Sequence, residues 1–322
     1  MIKIGIIGLG NVALAVHLPI LKSRKDIKIE WICDKSKIAN DICSRIKIPF
    51  YHELDEALNF VCPDIVLITA PYNTREVIFK KIKHRVKGVY CEKPFALSTK
   101  EHLNYLSGYE KYAFTIGYQR RSLGNVQILR NIIKNNLFGK ISEILIQFGD
   151  VHYSFDTFRS KKNIAGGGIL FESGSHWIDS VLFFSNALDL DNFSSEVKYE
   201  DNLDIHSEGK FNIHNSKNEI ISCKFIFSSI KNTSNKITVK FENFFIDLYL
   251  YQDNSNLIIQ NFDSRKFNIS DFNLQNYPND SISQAASYWE SFLNSYKKKK
   301  QTFATDESLY LTTKFIELYY AK

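Results

Sequence analysis

The chain has 322 residues, of which 44% are hydrophobic and 24% charged, and its formal net charge is +6. That composition excludes a disordered polyelectrolyte, and the length exceeds what one hydrophobic core usually serves, so two domains are expected. Acidic and basic residues are interspersed; the densest basic run, Lys297–Lys300, reads as a solvated loop between two helical segments and not as a nucleic-acid patch.

The opening MIKIGIIGLG is apolar from its second residue and lacks the basic region and cleavage site of a secretory signal. No window approaches the roughly 18 apolar residues of a membrane span. The five cysteines are odd in number and lack metal-type spacing, which points to reduced thiols and a cytoplasmic protein. Over residues 1–118, Ile2–Ile7, Ile27–Cys33, Ile65–Thr69, Gly88–Cys91 and Ala113–Tyr118 read as strands buried on both faces. Between them, Val12–Ser23, Ser36–Arg45, Thr74–Lys83 and Thr99–Leu106 read as helices, the last behind a capping box from Ser98 to Glu101. This alternation predicts a doubly wound parallel sheet, the Rossmann arrangement.

Residues 119–322 predict a second, α+β domain on an open, largely antiparallel mixed sheet, with terminal helices that pack back on the first domain. A helix at Gly124–Asn135 leads to a strand at Ile141–Tyr153, a glycine cluster and a helix at Ser175–Ser185. Alternating runs follow from Ser194 to about Phe267, including Ser222–Phe227, Ile237–Phe241 and Phe245–Tyr251, and they fit a sheet with one covered face. Helices at Ser283–Ser295 and Asp306–Tyr320 close the chain.

Glycine is scarce, with 14 in the chain, yet seven fall within Gly5–Gly10 and Gly166–Gly174. The first window reads Gly8-Leu9-Gly10-Asn11-Val12-Ala13, a G-x-G-x-x-A turn between a strand and a helix. Such a turn lets the backbone approach a pyrophosphate, which then sits on the amides and positive end of the helix. Asp34 ends the second strand, where a carboxylate accepts from ribose hydroxyls and repels a 2′-phosphate. The expected cofactor is therefore NAD, with NADP left open by Lys35 and Lys37. Gly8, Gly10, Asn11, Val12, Asp34, Thr69, Pro71, Glu92 and Lys93 make up the expected cofactor site.

Two further strings carry chemistry: Glu92-Lys93-Pro94 at the end of the fifth predicted strand, and the run from Gly166 to Asp179. With the N-terminal glycine turn they resemble the E-K-P and G-G-G-x-x-x-D-x-G-x-H-x-x-D patterns of the glucose–fructose oxidoreductase, inositol dehydrogenase and rhizopine catabolism (Gfo/Idh/MocA) family. The resemblance extends to the terminal helices. It implies hydride transfer between NAD(P) and a secondary alcohol or ketone of a sugar, sugar derivative or cyclitol. It also implies a homodimer or homotetramer, a cis peptide at Lys93-Pro94, and a catalytic set at Lys93, Glu172 and His176. Two alternatives stay open, an NAD-dependent glycosidase acting by transient oxidation and a non-catalytic NAD-binding sensor or repressor.

Physical chemistry supports the same residues. An unperturbed histidine has its pKa near working pH, which suits His176 to a general base or acid, and Lys93 offers a cation to a developing alkoxide. Glu172 lies four residues before His176 and shares a helical face with it if the helix starts early enough. Glu172 replaces the family's usual aspartate, and Arg75 replaces a frequent histidine near the cofactor pocket, where it would tune cofactor or partner contacts. Tyr118, Arg120 and Arg159 are substrate-contact candidates with Lys93, Glu172 and His176; His152 and Tyr153 lie close by in sequence. Asp179 reads as a brace for its helix. No metal cluster is expected, and the partner is a small carbohydrate-like molecule, not nucleic acid or membrane.

Overall fold

The computed structural model describes residues 1–153, 162–250, 257–261, 266–267 and 280–321. The chain divides into two compact units. The first comprises 1–96, 100–118 and 281–306, and the second 97–99, 119–280 and 307–322.

The first unit holds a six-stranded, all-parallel sheet made of β1 (Ile2–Ile7), β2 (Ile27–Cys33), β3 (Phe50–Tyr51), β4 (Ile65–Ile68), β5 (Gly88–Cys91) and β6 (Phe114–Ile116). Their order is β3-β2-β1-β4-β5-β6, so the strand order reverses between β1 and β4. Ligands bind at such a switch point, beyond the carboxyl ends of the strands. The four residues of β4 and of β5 are all buried, as strands covered on both faces must be. The helices are α1 (Leu18–Ser23), α2 (Lys37–Ile46), α3 (Leu54–Phe60), α4 (Arg75–Ile82) and α5 (Thr99–Leu106). A π-helical turn, Ala13–His17, runs directly into α1, and the N–H of Leu18 reaches back to the carbonyl of Ala13.

The second unit holds α6 (Gly124–Lys134), the short α7 (Lys162–Ala165) and α8 (Ser175–Phe184). Its strands are β7 (Ile141–Gly149), β8 (Ala187–Glu200), β9 (Leu203–Asn215), β10 (Ile220–Ser228), β11 (Lys236–Phe241), β12 (Phe244–Leu248), β13 (Leu257–Asn261) and β14 (Lys266–Phe267). They form one sheet in the order β14-β13-β12-β11-β7-β10-β9-β8. Only β7 and β10 run parallel among the paired strands; the other pairs are antiparallel. Burial alternates along β10, with Ile221, Cys223, Phe225 and Phe227 inward. On the other face Glu143 pairs with both Lys224 and Lys240.

The helix α9 (Ser281–Lys298) belongs to the first unit and α10 (Ser308–Tyr320) to the second. Tyr288, Trp289, Phe292 and Leu293 of α9 are buried in one core with Ile4, Ile6, Ile65 and Leu67 of the parallel sheet. In the second unit Phe315 of α10 lies edge-on to Phe211 and Phe225, at ring distances of 5.0 and 5.5 Å.

Several expectations are corrected here. The helix expected to stop at Ser295 continues to Lys298, so the basic run begins inside it, and Lys297 bonds Asp26 at 2.6 Å. Arg24 first, and then Lys297, hold Asp26 well below the usual carboxylate range. The strand expected to reach Tyr153 ends at Gly149.

Candidate active site

Glycine is required at position 8 for two reasons. Its φ is +93°, and a side chain there would press on the main chain of Ala70 at 2.7 Å. At Gly10 a Cβ would meet nothing within 4 Å, so the outer side of the turn is open. Thr69 closes the inner side through its hydroxyl, which donates to the Gly8 carbonyl at 2.7 Å. No side chain caps the following helical turn at Val12, which leaves its first amides for an anion.

Asp34 stands just beyond β2. One carboxylate oxygen accepts from the N–H of Leu9 at 2.6 Å and the other from Ser36 at 2.7 Å, which ties this acid to the glycine turn. Lys35 beside it is paired with Glu53. An open glycine turn, free helix amides and an oriented acid fit NAD. Asn11 and Gly10 are exposed there, and Pro71 follows β4 at the start of a 3-10 turn.

The Glu92-Lys93-Pro94 segment follows β5, and its Lys93-Pro94 peptide is cis, as the family resemblance implies. Arg75 is 2% exposed and donates to the main-chain carbonyls of Pro94 and Phe95. It therefore holds the Lys93 turn from behind, which corrects the expectation that it tunes cofactor or partner contacts. Glu92 is buried, accepting from the Lys93 amide at 3.2 Å and pairing with His17 at 2.9 Å. Burial pushes the neighbouring Cys91 thiol up to about 11, so it is an inert strand-end residue. Tyr118, at the end of this unit, is 1% exposed.

In the second unit Glu172 and His176 lie on one continuous helix, because a π turn at Leu170–Gly174 leads into α8. The early helix start that a shared face requires is thus present. Asp204 fixes that start. Its two oxygens accept from the amides of Gly168 at 2.6 Å and Leu170 at 2.9 Å, and the Tyr320 hydroxyl adds a third bond at 2.6 Å. A Cβ at Gly168 would collide with Asp204, so the approach needs glycine. Burial raises the Asp204 carboxyl above its ordinary range, against the lowering effect of Tyr320 and the two amides.

Asp179 points away from any ligand role. Its carboxylate takes a two-pronged bond from Arg121, at 2.6 and 2.8 Å, and a third from Thr312 at 3.0 Å, all side chains fully buried or nearly so. Arg120 donates to the Leu250 carbonyl at 2.8 Å, and Tyr153 accepts from Ser173 at 3.1 Å. His152 is exposed. Arg159 lies outside the described residues. His17, Asp204 and Arg121 are the residues that sequence reasoning missed. His17 offered a faint signal, a histidine seven residues past Gly10 on the helix of the glycine turn.

The family model described as an oxidoreductase family with an NAD-binding Rossmann fold matches residues 2–112. An uncharacterized oxidoreductase of Schizosaccharomyces pombe is 27% identical over 196 residues, covering 56% of this chain and 51% of that protein. Glucose-6-phosphate 3-dehydrogenase of Bacillus subtilis is 28% identical over 191 residues, covering 57% and 53%. The chain thus spans about half the length of the curated relatives it matches. A crystal structure of an oxidoreductase from Agrobacterium radiobacter with NAD+, L-tartaric acid and magnesium superposes with a TM-score of 0.77 at 14% identity, covering 100% of this chain and 97% of that one. With the glycine turn, the E-K-P turn and the glycine-cluster helix in place, the chain is similar to the Gfo/Idh/MocA oxidoreductases, through the family model over residues 2–112 and through the fold over its whole length.

Proposed function

We propose that this protein transfers a hydride between NAD and a secondary alcohol or ketone of a sugar, sugar derivative or cyclitol. The observation that carries the reading is the placement of Lys93. It stands at the carboxyl end of β5 in an NAD-binding sheet, on a turn held by buried Arg75 on one side and buried Glu92 on the other.

In this reading the amides from Gly10 to Val12 hold the pyrophosphate, and Asp34 accepts from the ribose hydroxyls. Thr69 and Pro71 shape the floor, with Gly8, Glu92 and Lys93 beside them. Asp34 repels a 2′-phosphate, and Lys35, one of the two lysines beside it, is already engaged by Glu53, which favours NAD over NADP. Bound NAD supplies the hydride acceptor.

The chain's own groups manage the alcohol. Lys93 donates to its oxygen as charge develops, and His176 takes or returns the hydroxyl proton. Glu172 holds a neighbouring hydroxyl or orients the imidazole, and Tyr118, Arg120 and Arg159 complete the substrate contacts. The carbohydrate class is supported by relatives such as the glucose-6-phosphate 3-dehydrogenase of Bacillus subtilis. The protein is read as a cytoplasmic homodimer or homotetramer, the location from its five free cysteines and the assembly from the family resemblance.

A panel of sugars, sugar acids, sugar nucleotides and inositols, read by absorbance of reduced cofactor, tests this. Lys93→Met and His176→Phe each lower kcat on the order of 100- to 1000-fold while NAD still binds. Purified protein that binds no nicotinamide cofactor, or variants that turn over at the wild-type rate, would overturn the assignment.

A further inference from the structure

Behind the E-K-P turn lies a chain of three buried side chains drawn from positions far apart in sequence. His17 is fully buried on the helix that follows the glycine turn, and its Nε2 is 2.9 Å from Oε1 of Glu92. Its other ring nitrogen, Nδ1, is 2.9 Å from Nε1 of Trp289, a fully buried residue of α9. Tyr90 packs edge-on to His17 at 5.2 Å and stacks on Trp289 at 4.3 Å.

An indole N–H can only donate. Nδ1 must therefore accept, the ring proton sits on Nε2, and the imidazole donates to Glu92 as a neutral group. A second proton on Nδ1 would face the indole N–H and break that bond. A buried histidine–glutamate pair is net neutral when it is an ion pair; with the tautomer fixed in this way it carries a single negative charge. The hydrogen-bond partners of the Glu92 carboxylate among the described residues are this neutral ring and the Lys93 amide, neither of them a cation.

We propose that Trp289 and His17 are positioning residues that keep a negative charge at the end of β5, and that this charge weights binding toward the oxidised nicotinamide over the reduced one. The physical basis is that the oxidised ring is cationic and the reduced ring neutral, so an anion fixed in a low-dielectric setting distinguishes them. Lys93 contributes the opposite sign, but it is common to every comparison below. The inference rests on the NAD-dependent reading above and adds to it a preference between the two redox forms.

Nitrogen NMR of histidine-labelled wild-type protein at neutral pH shows His17 singly protonated, on Nε2. Fluorescence titrations with NAD+ and NADH then compare variants without needing a substrate. Glu92→Gln weakens NAD+ binding roughly fivefold more than NADH binding, whereas His17→Gln, which keeps a neutral donor toward Glu92, holds the wild-type ratio. A doubly protonated His17, or a Glu92→Gln variant that weakens both forms alike, overturns the inference. Protein that binds neither form overturns the NAD reading itself, and the nitrogen spectrum still decides the tautomer.

Discussion

Replacing Asp179 by alanine leaves the guanidinium of Arg121 buried with its main countercharge gone. Both side chains have zero exposure, and the pair is joined by two bonds of 2.6 and 2.8 Å with Thr312 as a third partner. Breaking one side of such a buried pair costs about 3–5 kcal/mol, because the survivor stays desolvated without compensation. For a domain of this size each kcal/mol moves the melting temperature by about 2–4 °C, so Asp179→Ala lowers the transition of the second unit by about 10 °C. Calorimetry measures it, with NAD binding followed on the same sample. The double variant Arg121→Leu/Asp179→Leu removes both charges and recovers most of the loss, since apolar replacements of a buried pair are often neutral or better. A single variant that melts within ~2 °C of wild type refutes the account. So does a double variant no more stable than the single, because the cost would then not arise from an orphaned charge.

Burial holds the His102 imidazole down at about 4, below its ordinary value near 6.5. The unfolded chain therefore binds a proton between those limits that the folded chain refuses, and stability falls as pH drops through that window. The loss reaches about 3 kcal/mol, and urea melts from pH 7 to pH 4 show it flattened in His102→Phe. Asp204→Asn puts an amide nitrogen where one of two main-chain donors, Gly168 or Leu170, needs an acceptor. One of those amides loses its hydrogen-exchange protection, and stability falls by about 1–3 kcal/mol; unchanged exchange at both would show that Asp204 does not hold this helix start.

The parallel sheet was legible because its strands are short, mostly apolar runs, and most are closed by glycine, proline or a charged residue. Strand β3 was not, since Phe50 and Tyr51 make only two residues of ladder. Strand β8 starts at Ala187, before the alternating runs expected from Ser194, and neither it nor β9 was singled out, for a different reason. They run 14 and 13 residues with many polar side chains, and they join through Asp201 and Asn202, both at positive φ, where an Asn-Gly or Asp-Gly pair would have signalled a hairpin. Of the site, the glycine turn, Asp34 and Lys93 were readable from spacing, because each follows directly from a strand end. The supports were not. His17, Trp289, Arg121 and Asp204 act through partners 58 to 272 residues away or through carbonyls and amides, for which linear sequence holds no pattern.

A π turn holds one residue more than the α-helical path between the same two ends. Shortening the stretch from Ala13 to Val16 by one residue restores a regular path and leaves the flanking turns facing as they do. The same holds for the stretch between Leu170 and Ser173. Removed anywhere else in either helix, a residue swings one half against the other by about 100° and strips the packed face from its sheet. Both helices can therefore lose a residue without turning their packed face only at these two π turns.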